Sequence, residues 1–282
     1  MGFTLCAVVT LYHPDLETID NINSYLPFVD KIYLMDNSDH KNEDKTIFSN
    51  LINTNKDKVV YLNFDVNNGI SKAVNIAAKK AFNLGFSHML IMDQDSSFDK
   101  NQLEIYLNCI SKDIESGGAI DLYGPSLEGA KSFLDENNIP IMTSGSIVHT
   151  NKFIEVGGYS EKLFIDEVDH EFSLRMLDSG YKIKKLGSVR IKHYFGKETI
   201  IGKNSYRKYP FFRYYYFTRN YFYLRKYHSI NHLEFVLRRR KHLISKMKNV
   251  LKYDRNRFIC IYYMVLGWVH AKIGIWGKGI SF

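Results

Sequence analysis

Residues 89–95, Met-Leu-Ile-Met-Asp-Gln-Asp, constrain this chain more than any other stretch. The four apolar residues Met89 to Met92 read as a strand buried on both faces, which calls for a sheet covered by helices on either side. The strand runs directly into Asp93 and Asp95. In an open parallel sheet, ligands bind in the crevice beyond the carboxyl ends of the strands, where loops present side chains without disturbing the core. Two oxygen ligands at this spacing suit a hard divalent cation that keeps its other positions for water and substrate phosphates. An acidic triplet alone also caps helices or sits in a solvated loop, so the rest of the chain has to decide.

The preceding segments supply the sheet. Cys6 to Leu11 reads as a first strand, followed by a His-Pro-Asp turn and a helix over 16–25. Lys31 to Met35 is a second strand, ending in Asp36-Asn37-Ser38-Asp39, and Val59 to Phe64 is a third. A helix of small residues, Ser71 to Phe82, then leads to the strand at 89–92. This order is that of a doubly wound nucleotide-binding half, with polar side chains at the strand ends. Asp36 stands where it can accept from a base N–H or a ribose hydroxyl, or simply form a turn. The Asn68-Gly69 step allows a close backbone approach to a ligand, a positive φ, or a plain turn. The chain contains neither GxGxxG nor GxxxxGK[ST], which argues against a dinucleotide oxidoreductase and a P-loop NTPase.

A second half opens with Thr143-Ser144-Gly145-Ser146, a small polar turn entering a strand, and reaches FIDEVDHEFSLR at 164–175. Four acids within six positions at a helix start repel one another, an effect partly offset by the positive helix N-terminus. A carboxylate so placed is disposed towards a raised pKa, which suits a general base. The alternative is a first turn that merely complements the helix dipole. Arg175 is in reach to pair with one of these acids. His193, after the strand Ser188 to Ile191, is a candidate ligand for a metal beside Asp93 and Asp95.

With 282 residues, 45% of them hydrophobic, the chain makes one large domain or one domain with an appendage. Cys6, Cys109 and Cys260 are odd in number and far apart, which indicates neither a disulfide framework nor a zinc site and fits a reducing cytoplasm. The N-terminus lacks the basic region of a signal peptide. The net charge of +8 is unevenly divided: residues 203–282 hold 18 Lys and Arg against 2 acids, and 20 of the 41 aromatic residues. Such a segment points to a polyanion, either nucleic acid or an anionic membrane face. Its longest uncharged apolar run, Phe258 to Val269, is 12 residues where a spanning helix needs about 20. Val236, Leu243, Ile244, Met247, Val250 and Leu251 recur at helical spacing among Arg and Lys, as in an interfacial amphipathic helix or one packed on the catalytic domain. No RNP, KH or zinc-knuckle pattern supports nucleic acid as the partner.

In order and spacing, AVVTLYHPD, LMDNSD, NNGISKAVNIA, LIMDQDSSF, MTSGSIV, FIDEVDHEFSLR, KHYFG and YFTRNYFYL together resemble the inverting GT-A glycosyltransferases, in particular the rhamnosyltransferase-like branch of bacterial O-antigen and capsule synthesis. The resemblance implies an α/β, Rossmann-like GT-A domain over 1–202, with a nucleotide-binding half at 1–98 and an acceptor-binding half at 99–202. A basic, membrane-associating helical segment follows at 203–282. It implies that Thr10, Asp36, Asn68, Gly69 and Asp93 bind the nucleotide sugar, and that Asp93, Asp95 and His193 hold Mg²⁺ or Mn²⁺ against its diphosphate. Asp169 falls at the general base, with Asp166 as the second claimant, and Arg219 stands where it can neutralise the leaving diphosphate. Ser144, Gly145, Ser146 and Glu171 are the candidates for contacting the acceptor.

The implied reaction is transfer of a sugar, L-rhamnose from dTDP-L-rhamnose being favoured, to a lipid-linked saccharide in a single inverting displacement. The enzyme would then work at the cytoplasmic face of the plasma membrane. Galactofuranose, glucose and N-acetylhexosamine remain open as the sugar. The competing classes are a non-catalytic protein that binds nucleotide in the acidic cleft and RNA or lipid on the basic tail, and a nucleotidyltransferase, for which a triphosphate loop is missing.

Overall fold

Strand β1 (Leu5–Leu11) shows how the sheet is built, because its alternate side chains sort into two cores. Leu5, Ala7, Val9 and Leu11 face one side, and Cys6 and Val8 face the other. Both sets are buried, as expected of a strand with helices on each face. In the computed structural model, which describes residues 3–39, 47–118, 120–194, 198–201 and 204–280, β1 pairs in parallel with β2 (Lys31–Asp36) and with β4 (His88–Asp93). β2 pairs with β3 (Val59–Asn63). Between these strands run α1 (Leu16–Asn23), α2 (Ser49–Thr54) and α3 (Gly69–Asn83). Asp15 caps α1 in a reciprocal box with Thr18, which fixes where the chain leaves β1. On α3 the fully buried Ala73, Ala77, Ala78 and Ala81 let the helix lie close against the strands.

The order across the sheet is β3-β2-β1-β4-β8-β6-β9-β5, with β7 on β9. The added elements are β5 (Ser96–Ser97), α4 (Lys100–Glu115), β6 (Leu122–Leu127), β7 (Glu136–Asn137), β8 (Ser146–His149) and β9 (Ile183–His193). β8 runs antiparallel to β4 and β6, while β6 and β9 are parallel. The strand Met89 to Met92 is therefore central, as read from its composition. Between β8 and β9 lie α5 (Thr150–Glu155) and α6 (Val168–Asp178). Beyond them come a hairpin, β10 (Glu198–Ile201) and β11 (Asn204–Arg207), and three helices, α7 (Phe211–His228), α8 (Leu233–Tyr253) and α9 (Arg257–Ile273).

The expected start of a separate segment at 202/203 falls outside the described residues, as do Phe195 and Gly196 of the KHYFG string. Helix α7 is no loose appendage, however. Its residues Tyr214 to Tyr221, with Tyr223 and Leu224, are buried, and Tyr223 sits in the core that backs β1 and α3. Helix α8 buries Val236 and Val250, while Met247 and Leu251 stay exposed. Among the described residues, no helix is long and apolar enough to cross a membrane.

Candidate active site

Parallel register brings Thr10 of β1 beside Asp93 of β4, and the Thr10 hydroxyl donates to Asp93 Oδ1 at 3.4 Å. Asp95 follows at the turn into β5, whose pairing with β9 sets His193 opposite Ser96. His193 Nδ1 lies 3.2 Å from Asp95 Oδ1 and 2.5 Å from the Ser96 hydroxyl. One ligand atom each from Asp93, Asp95 and His193 lies within 4.8 Å of the others. Two ligands on one Mg²⁺ are about 4.2 Å apart at most, so a slight contraction would close this set on a cation. Burial, then the neighbouring Asp95 carboxylate, pushes Asp93 up to about 6. Burial opposes the charged form of His193, but Asp95 and Asp93 raise its pKa above the ordinary value. A divalent cation here would relieve the repulsion between the two acids, so the donor set fits Mg²⁺ or Mn²⁺.

Two cavities meet at these carboxylates. The smaller, about 250 Å³, is lined by Thr10, Tyr12, Asn37, Asn67, Gly69, Gln94 and Phe164 among others. Gln94 orders its mouth by bonding the Tyr12 backbone twice, at 2.6 and 3.1 Å. Gly69 has φ +80°, and a Cβ there would stand 2.6 Å from the Phe164 carbonyl oxygen, so only glycine lets the 164 loop seat against α3. The larger cavity, about 620 Å³, includes Asp93, Asp95, Thr143, Asp166, Asp169, His193, Arg213, Arg239 and Lys246.

The acids of the second cluster are not equivalent. Asp169, in the first turn of α6, accepts from the Thr143 backbone N–H at 3.1 Å and the His170 N–H at 2.8 Å. Among the described residues no Lys or Arg pairs with it, and its side chain is 22% exposed to the cavity. Asp166 instead forms an ion pair with Arg213. Glu167 is held by Arg239 and by His170, the latter at 2.9 Å. Burial works against the charged Glu167, yet His170 and Arg239 outweigh it and hold the carboxyl down to about 2. The crowding expected to raise a carboxyl pKa in this cluster therefore does not do so at Glu167.

The loop that carries these acids is strained. Phe164, Asp166 and Glu167 have φ of +66°, +62° and +63°, a region that costs a non-glycine residue about 1–3 kcal/mol. Arg219 and Asn220 of α7 hold it. Arg219 is fully buried and donates to the carbonyls of Lys162, Leu163 and Gly277 at 3.1, 2.9 and 2.7 Å, with its guanidinium over the Tyr215 and Tyr216 rings. Asn220 reaches the carbonyls of Leu163, Ile165 and Asp166 at 3.1, 2.6 and 2.8 Å.

Several expected site residues consequently lie elsewhere. Arg219 does not line either cavity, since carbonyls occupy its donors; Arg213, six residues earlier on the same helix, lines the larger one. Asp36 is fully buried with its oxygens on Ser38 and Tyr61, and Asn37 takes its place at the cavity. Asn68 accepts from Lys72 at the start of α3, while Asn67 lines the cavity. Ser144 accepts the Asp93 backbone N–H at 3.1 Å, Ser146 donates to the Thr143 carbonyl at 2.7 Å, and Gly145 is packed under Ile191 and Pro125, so the turn supports the site from behind. Glu171 turns away and pairs with Arg175 at 2.8 Å, confirming an acid partner for that arginine but removing Glu171 from the acceptor side. Tyr12, Asn67, Phe164 and Arg239 carried no sequence signal that separated them from ordinary turn or surface residues.

Residues 16–142 match the family described as Glycosyl transferase family 2. The chain is 26% identical over 226 residues, 71% of its length and 72% of the other's, to a dTDP-rhamnosyl transferase RfbF of Shigella flexneri. Its fold is similar to that of S. aureus TarS 1-349 in complex with UDP-GlcNAc (TM-score 0.55, 13% identity, covering 96% of this chain and 73% of that one). It is similar too to the mannosyltransferase PcManGT from Pyrobaculum calidifontis in complex with GDP-Man and Mn²⁺ (TM-score 0.57, 12% identity, 95% and 75%). GalNAc-T7 with UDP, GalNAc and Mn²⁺ matches at TM-score 0.56 and 16% identity over 68% of this chain, which spans 44% of that longer one. These neighbours share the GT-A fold.

Proposed function

We infer that the chain is a glycosyltransferase of family 2, a reading supported by the match of residues 16–142 to that family and by the GT-A fold of its structural neighbours. It transfers a sugar from a nucleotide-diphosphate donor to a saccharide acceptor with inversion. The observation that carries this reading is that the Asp93, Asp95 and His193 cluster and Asp169, which has no Lys or Arg partner among the described residues, border one cavity. The smaller cavity takes the nucleotide, with Thr10, Gly69 and Asn67 along it. A divalent cation held by Asp93, Asp95 and His193 would supply the positive charge against which a diphosphate departs.

Asp169 takes the proton of an acceptor hydroxyl on a carboxylate oxygen, and the N–H groups of Thr143 and His170 orient that carboxylate. The acceptor oxygen bonds to the anomeric carbon as the bond to the diphosphate oxygen breaks on the opposite face, so the configuration inverts in one displacement. Asp166 is unsuited to the proton transfer because its charge is already matched by Arg213. Similarity to a dTDP-rhamnosyl transferase supports dTDP-L-rhamnose as the donor.

The acceptor is a lipid-linked saccharide, met at an anionic membrane face. The basic helix α8 buries Val236 and Val250 but leaves Leu233, Leu237, Met247 and Leu251 exposed, and α9 exposes a longer apolar stripe in which Phe258, Tyr262, Val265, Val269 and Ile273 recur at helical spacing. Arg255, Arg257 and Lys272 lie beside that stripe in sequence, the pattern of a helix lying in the interface.

Replacing the base tests the assignment. Asp169→Asn is expected to lower turnover by about 10²–10⁴-fold while leaving stabilisation by donor and Mn²⁺ intact in a thermal-shift assay. An Asp169→Asn enzyme with near-normal turnover overturns the role given to this residue.

A further inference from the structure

We propose that Ile70 and Ile165 form the wall that selects the donor sugar, and that they favour a 6-deoxyhexose by receiving its methyl group where an ordinary hexose carries a hydroxymethyl. The proposal rests on the glycosyltransferase reading and its dTDP-sugar donor, and names the residues that discriminate among sugars.

Among the described residues, Asp93, Asp95, Ile70 and Ile165 border both cavities. The two acids belong to the cation cluster, so the donor's diphosphate lies at this junction and its nucleoside extends into the smaller cavity. The sugar hangs from the other end of the diphosphate, and its anomeric carbon must stay open to an acceptor oxygen activated by Asp169 in the larger cavity. It therefore passes between the two cavities, beside the two isoleucines. Both side chains are half-buried and line that passage with apolar surface.

The backbone keeps this wall together and uses up its polar groups. The Ile70 N–H donates to the Phe164 carbonyl at 3.0 Å, which ties the start of α3 to the residue before Ile165. The Ile165 N–H donates to the Leu163 carbonyl at 2.8 Å, and the Ile165 carbonyl accepts from Asn220 at 2.6 Å. Phe164 and Phe212 continue the apolar surface into the smaller cavity. A hydroxyl pressed against such a wall gives up its water partners and gains none, whereas a methyl group gains by leaving water. An apolar pocket of this kind separates two ligands that differ by one hydroxyl by about 10–100-fold. Glucose, galactofuranose and N-acetylhexosamine all carry that hydroxyl at the terminal carbon, and L-rhamnose does not.

The matched pair dTDP-L-rhamnose and dTDP-L-mannose, which differ only in the hydroxyl on the terminal carbon, isolates the methyl group. Both are titrated calorimetrically into the full chain with Mn²⁺, and dTDP is titrated in parallel. The wild-type protein is expected to bind dTDP-L-rhamnose at least about tenfold more tightly than dTDP-L-mannose. Ile165→Thr and Ile70→Thr keep the branched shape but bring a hydroxyl to the wall, and each is expected to narrow that ratio by about threefold or more. Ile165→Val, which stays apolar, is expected to retain it. The ratio is taken within one protein, so a general loss of nucleotide affinity or of folded protein cancels. Equal affinity of the wild type for the two sugars overturns the proposal, because the wall would then meet only ring C–H groups. A ratio unchanged in both threonine variants overturns it as well, since the methyl group would sit elsewhere. Failure of the underlying reading is seen separately, as no Mn²⁺-dependent binding of dTDP by the wild type.

Discussion

At the scale of the residue, Asn220 touches neither cavity, yet its carboxamide satisfies three carbonyls of the loop bearing Asp166 and Glu167. Buried carbonyls left without a donor cost about 1–3 kcal/mol each, and the left-handed conformations of Phe164, Asp166 and Glu167 add strain that only outside contacts can hold. Asn220→Ala is therefore expected to lower the unfolding free energy in urea by about 2–3 kcal/mol and to slow turnover despite its distance from substrate. Unchanged turnover in a folded variant would mean that the loop holds itself. The sequence led to Asp93, Asp95, His193 and Asp169 because strand ends and helix starts fix where such residues go. It misled at Arg219, Asp36 and Glu171, since each is as polar as a site residue. Only the fold shows that carbonyls, Tyr61 and Arg175 respectively have already claimed them.

At the scale of the element, helix α6 begins in a cluster of charges whose balance depends on pH. The folded pKa of Glu167, about 2, lies below its ordinary 4.5, so the ionised form favours the fold. Its contribution is complete above pH 4.5 and is lost as the pH falls through 2, a change on the order of 3 kcal/mol. His170 has its pKa raised above 6.5, so its share is complete below that value and fades as the pH rises through the folded pKa. Calorimetry between pH 5 and pH 2 is expected to show a steep loss of melting temperature in the wild type and a shallower one in Glu167→Gln. Equal slopes would remove Glu167 from the acid transition. The parallel strands β1 to β4 were legible from their apolar runs and intervening helices. The antiparallel insertion of β8 between β4 and β6 was not, because pairing across some 55 residues of sequence leaves no local pattern.

For the whole molecule, the excess of acid in the first 202 residues and of base in the rest gives the protein two differently charged ends. The exposed stripe of α9 is the part of the basic end expected to meet a membrane. Phe258 and Val265 are 78% and 51% exposed, so replacing both by Glu leaves the core untouched. Phe258→Glu with Val265→Glu is expected to cut co-sedimentation with vesicles containing phosphatidylglycerol by about tenfold or more, with the circular dichroism spectrum unchanged. Vesicle binding that survives the double change would leave charge alone as the anchor. The latch at Arg219 carries a consequence in time as well as in space. Its guanidinium bonds Leu163 on one side and Gly277 on the other, so the ribosome must have made residue 277 before the latch can close. A growing chain acquires its nucleotide strands before the hold on the loop that bears Asp166 and Glu167 can close, and truncation just before Gly277 would remove one side of that hold.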